Sequence, residues 1–105
     1  MNKIELNKLD LAISEAKKYA LEQIKAVPDN GSCNFDHVVV NIGRTMQANI
    51  DAMVNRGWKG YSNKNYLHLS GGNVGQANRQ TAYAEAIRDY LSSKGYDCYV
   101  HYQLD

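Results

Sequence analysis

The sequence predicts a small α/β domain in which three helices alternate with a three-stranded sheet, in the order helix, strand, helix, strand, helix, strand. Three observations carry that reading. Apolar residues recur every three or four positions from Leu6 to Val27, the period of a helix with one buried face. β-Branched residues run consecutively in HVVVNIG, as in a strand buried on both faces. The last segment alternates Tyr96, Cys98, Val100, Tyr102 and Leu104 with Asp97, Tyr99, His101 and Gln103, the period of a strand with one wet face. A chain of 105 residues holds a single domain, because compact domains usually contain roughly 100 to 150.

The elements follow in order. The first helix places Leu6, Leu9, Ile13, Ala16, Ala20, Ile24 and Val27 on one stripe and ends at Pro28 and the Asp29-Asn30-Gly31 turn. Leu11 and Leu21 lie off that stripe, a surplus of apolar surface that suits residues 1–27 to oligomerisation. Residues 34–105 form the α/β core, opened by HVVVNIG at the centre of the sheet. Thr45 reads as the N-cap of MQANIDAMVNR, whose apolar face is Met46, Ile50, Met53 and Val54 and which stops at Gly57. GWKGYSNKN reads as a loop and YLHLS as a short strand. The third helix runs from Asn78 to about Lys94, with Ala84, Ile87 and Leu91 inward and Gly95 after its end. Two strand-helix-strand units in succession favour a parallel sheet with right-handed crossovers. Its two open edges are a second reason to expect a homo-oligomer, a dimer or larger.

Composition narrows the function. A formal charge of +1 is too small for a global field that would draw a DNA or RNA duplex or an anionic membrane. No apolar run reaches the ~20 residues needed to span a bilayer, and MNKIELNK lacks a signal-peptide core; the expectation is a soluble, cytoplasmic protein. Cys33 and Cys98 have no CxxC partner, and His37, His68 and His101 have no ligand partner at metal-site spacing, so neither a disulfide framework nor a metal centre is expected. The charge is uneven, however. Between residues 41 and 81, Arg44, Arg56, Lys59, Lys64 and Arg79 face Asp51 alone, a local excess of four.

Within that basic middle lies SGGNVGQANRQT, residues 70–81. In a parallel sheet this stretch and Gly43-Arg44 would leave the carboxyl ends of their strands at one rim, where open α/β sheets hold ligands. Gly71, Gly72 and Gly75 would let a ligand approach the main chain, and the unpaired amides opening the third helix would face a phosphate. Arg79 and Arg44 would add guanidinium donors, Asn73, Gln76 and Asn78 neutral ones, and Trp58 and Tyr61 rings for stacking on a base. The pattern is neither a Walker loop nor GxGxxG. It competes with two plainer readings, a tight strand-to-helix connection and a tryptophan that plugs the end of the sheet. Acids for a metal or a water are scarce here. The expected site holds an anionic ligand rather than breaking it, without cofactor or catalysis.

The GGNVGQANRQTAYAEAIRDYL block, with the chain's size and overall pattern, resembles the first described family of phage-encoded Thoeris anti-defence proteins. That resemblance implies sequestration of cyclic ADP-ribose isomers, and of cyclic oligonucleotides in some members, in the cytoplasm of an infected host cell, by an oligomer that returns its ligand unchanged. Two alternatives stand beside it. One is an inhibitor that docks on a host defence enzyme through the eight tyrosines; the other is a small nucleotide-processing enzyme.

Overall fold

The computed structural model describes residues 1–32, 34–60, 65–70 and 74–103. Helix α1 spans Lys3–Gln23, β1 His37–Asn41, α2 Gln47–Val54, β2 Trp58–Gly60, β3 Tyr66–Leu69, α3 Ala77–Ser93 and β4 Cys98–His101. The three helices and the three strands expected from sequence are present in the expected order. One short strand, β2, is added where a loop was expected.

The sheet runs β2-β3-β1-β4 and every neighbouring pair is antiparallel, which corrects the parallel arrangement. The reason lies in the spacing of the units. Strands β1 and β2 point the same way, as a strand-helix-strand unit requires, but β3 lies between them; β3 and β4 likewise share a direction with β1 between them. Both units are split, and the β2-β3 hairpin supplies the reversal. The segment from β1 to β4 is thus a β-α-β-β-α-β arrangement, with α1 added in front.

Antiparallel pairing also moves the rims. Because Asn41 pairs with Tyr66 and Val39 with His68, β1 leaves the sheet at the end where β3 enters it. Arg44 and the Val74-to-Arg79 stretch that opens α3 therefore sit at opposite rims, not on one.

The core is one layer of helices on one face of the sheet. Leu6, Leu9, Ile13, Ala16 and Ala20 of α1 pack with Ile50 and Met53 of α2, with Tyr83, Ala84, Ile87 and Leu91 of α3, and with Val38, Val40, Leu67, Leu69 and Val100 of the sheet. Helix α1 opens with a capping box in which Asn2 and Glu5 each accept the other's backbone amide, a signature legible in Asn-x-x-Glu. Thr45 does not cap α2, whose N-cap is Met46 with no side-chain bond. Its Oγ1 instead donates to the Ile42 and Gly43 carbonyls. Met46 and Val54 are exposed, so only Ile50 and Met53 of the expected apolar face are buried. Among the described residues no helix is long and apolar enough to cross a membrane.

Candidate functional site

The expected cradle at the start of α3 is occupied by the chain itself. The Asp29 carboxylate accepts from the Gln76 amide at 2.6 Å, the Ser32 carbonyl from the Ala77 amide at 2.9 Å, and the Asn30 carbonyl from the Asn78 amide at 3.3 Å. These are the groups that a bound phosphate would have used. Gly75, at φ +131°, does permit a close approach, but the atom that makes it is Asp29 Oδ1, which a Cβ at this position would meet at 2.8 Å. Asn78 Nδ2 donates to Asn30 Oδ1. Arg79 donates through Nε to the Val74 carbonyl at 3.0 Å and through Nη1 to the Val27 carbonyl at 3.2 Å, fastening the segment after α1 to the glycine loop.

The rest of that segment is tied down as well. Asp36, a buried acid, accepts from Thr81 Oγ1 at 2.6 Å and from the Gln103 amide at 2.7 Å, while Asn34 Nδ2 donates to the Ala77 carbonyl and to Thr81. Trp58 belongs to the same rim, paired with Leu69. It points inward, 4 % exposed, with its Nε1–H donating to Asp10 Oδ1 at 3.4 Å. Its ring is core and is not offered for stacking. Of the expected ligand residues, Gly75, Gln76, Asn78 and Arg79 are thus brought together, around Asp29 and its neighbours; Tyr61, Gly71, Gly72 and Asn73 lie outside the described residues.

Arg44 stands apart at the opposite rim. It lines an open basin of about 800 Å³ with Thr45, Met46, Gln47 and Asn65, and its guanidinium has no partner among the described residues. The loop that carries it is held firmly: the Met1 ammonium donates to the Ile42 carbonyl at 2.7 Å, the Arg44 carbonyl at 3.1 Å and Thr45 Oγ1 at 3.0 Å. Gln47 donates to Asp51. Arg56 is engaged elsewhere, with Asn7 and Asp10 of α1. The three arginines of the basic middle therefore separate into two with structural partners and one that faces solvent; the side chains of Lys59 and Lys64 lie outside the described ones.

A second surface, which the sequence reading missed, lies on the face of the sheet opposite the helices. The alternation that buries Val38, Val40, Leu67, Leu69 and Val100 turns His37, Val39, Asn41, Tyr66, His68, Tyr99 and His101 the other way. Rings meet across the strands: Tyr66 and Tyr99 edge to face at 6.4 Å between centroids, His37 and His68 at 4.9 Å, His37 and His101 at 5.2 Å. His37 Nδ1 lies 2.8 Å from the Phe35 carbonyl and its Nε2 lies 2.7 Å from His68 Nδ1. Since the carbonyl can only accept, Nδ1 carries a proton, and in neutral His37 Nε2 then accepts from His68 Nδ1–H. Among the described residues no cluster of His, Cys, Asp and Glu is arranged to hold a metal.

Cys98 is half-buried, its Sγ donating to the Arg88 carbonyl, and burial pushes its thiol up from the ordinary range. No family model, curated protein or solved structure matches this chain.

Proposed function

We propose that this chain is a non-catalytic binding protein that holds a small anionic nucleotide at the Arg44 rim and returns it unchanged. The observation that carries the reading is the guanidinium of Arg44, which meets no partner among the described residues and lines an open basin with Thr45, Met46, Gln47 and Asn65. A guanidinium is a donor that recognises a phosphate, singly or as a fork, and a protein that only sequesters its ligand needs preorganised donors and no more. The ligand class to test first is the cyclic ADP-ribose isomers, which the resemblance to Thoeris anti-defence proteins implies; the setting would be phage counter-defence.

Thermal shift against a panel of cyclic and linear ADP-ribose compounds and cyclic dinucleotides tests this. A ligand at 100 times its Kd adds about 2.7 kcal/mol, which in a domain of this size raises Tm by about ten degrees. Heat release followed by chromatography should return the compound intact. A shift from none of the panel, or recovery of a cleaved product, contradicts the proposal.

Self-association through α1 belongs to the same proposal. Ile4 and Leu11, seven residues apart, are exposed on the side of α1 away from its buried stripe. Leu11→Lys should lower the sedimenting mass of the protein without changing its circular dichroism; an unchanged mass removes α1 as the contact.

A further inference from the structure

We propose that the uncovered face of the sheet binds single-stranded nucleic acid by stacking unpaired bases on its rings. This is a different surface and a different ligand class from the Arg44 basin, and it stands on separate observations.

The face carries rings and lacks acids. Positions 37, 39 and 41 of β1, 66 and 68 of β3, and 99 and 101 of β4 present three histidines, two tyrosines, an asparagine and a valine. None of the eleven acidic residues of the chain is among them. Asp97, at the margin, accepts from Asn41 Nδ2 at 3.0 Å. Phe35, 55 % exposed, continues the alternation of β1, its amide donating to the Gln103 carbonyl. A face meant for another protein's core would offer aliphatic side chains. Here the only aliphatic one, Val39, is fully buried although it lies outside the core cluster. Its register partners are His68 and Tyr99, and no described helix covers this face, so the neighbouring side chains bury it.

The rings form two groups, a tyrosine pair (Tyr66, Tyr99) and a histidine group (His37, His68, His101). They are two residues apart along β3 and β4, which corresponds to about 7 Å. Bases in a duplex are spaced ~3.4 Å apart and present only their edges, so neither group could take the flat face of one. Splayed bases of a single strand can lie on successive ring groups, the way an open four-stranded sheet reads RNA through its two central strands. In this sheet the central strands are β3 and β1, which supply Tyr66, His68 and His37. Tyr and His rings stack on any base, so the selectivity expected is for strandedness rather than sequence. With no lysine or arginine among those seven positions, and Lys59 of β2 the one cationic position in register with them, opposite His68, few phosphates are neutralised, and the salt dependence should be shallow.

Fluorescence anisotropy with a labelled hexathymidylate, hexauridylate and a duplex of equal length provides the test. The single strands should bind and the duplex should not. Tyr66→Leu combined with Tyr99→Leu, which keeps apolar bulk over Val39, should weaken binding on the order of a hundred-fold, about ten-fold per ring, whereas Tyr66→Phe should leave it unchanged. Arg44→Ala should not affect it, which separates this surface from the nucleotide basin. To avoid dependence on any variant, the imidazole proton signals of His37, His68 and His101 in the unsubstituted protein should shift on adding hexathymidylate. Equal affinity for duplex, no binding of either strand, unmoved imidazole signals, or a dimer that Tyr99→Leu dissociates, which would put a second copy on the face, each overturns the proposal.

Discussion

At one rim of the sheet, the arginine that follows the glycine loop donates its Nε and Nη1 hydrogens to Val74 and Val27; at the other, the arginine that follows β1 lines an open basin and meets no described partner. Both rims combine glycine, arginine and amide side chains, so residue type alone does not separate them. What separates them is a short acidic turn: Asp29, Asn30 and Ser32, arriving from the end of α1, fill the mouth of α3. A helix N-terminus attracts an anion, and here the anion, Asp29, lies fifty residues before Arg79 in sequence but adjacent to the mouth of α3 in space. Glycine 75 serves that internal docking. The lesson is that a glycine-rich strand-to-helix connection is a candidate site only after the rest of the chain has been asked whether it supplies the ligand itself.

The sharpest way to break the comparison is through Trp58, which sits at the closed rim. Buried as it is, Trp58→Ala should cost about 3 to 5 kcal/mol in urea unfolding; a cost within about 0.5 kcal/mol, the value for an exposed loop residue, would reopen that rim. Gly75→Ala comes next. It forces a Cβ into the left-handed region and to 2.8 Å from Asp29 Oδ1, so it should destabilise by about 1 to 3 kcal/mol in the same assay while leaving nucleotide affinity alone. Loss of affinity without loss of stability would mean that the glycine loop faces a ligand after all.

Much of the fold was legible because its signals are local. The stripe of α1, the consecutive valines of β1 and the glycine after α3 each report on their own element, and each element formed. Strand polarity was not legible, because it depends on β2, three residues hidden in a glycine- and asparagine-rich stretch that reads as loop. That single omission put Arg44 and Arg79 on one rim. The site suffered a second loss for a different reason: the partners of Gln76, Asn78 and Arg79 lie about fifty residues earlier, and no local pattern announces such a contact. The ring-bearing face was within reach, since Tyr99 and His101 were already on the wet side of the last strand. The run of valines concealed the matching alternation of His37, Val39 and Asn41.

A smaller effect comes from Cys98 and Tyr83, two half-buried or buried titratable groups outside both candidate sites. Burial raises both groups in the folded chain, the thiol above 9.0 and the phenol above 10.0. The unfolded chain then releases these protons first, so their contribution to stability is complete below about pH 9 and is lost as pH rises through the folded values. Stability measured by urea between pH 7 and pH 10.5 should fall above pH 9, and Cys98→Ala should remove the earlier part of that fall. A flat profile contradicts it.

The most direct measurement is a paired titration of Arg44→Ala and Arg79→Ala with whichever nucleotide raises Tm of the unsubstituted protein, read by calorimetry alongside urea unfolding. Arg44→Ala should keep its stability within about 0.5 kcal/mol and lose roughly ten-fold or more in affinity, the scale of one charge-assisted contact; Arg79→Ala should lose about 1 to 3 kcal/mol of stability and keep its affinity. If the two variants exchange these behaviours, the ligand sits at the mouth of α3, and the assignment of the two rims is wrong.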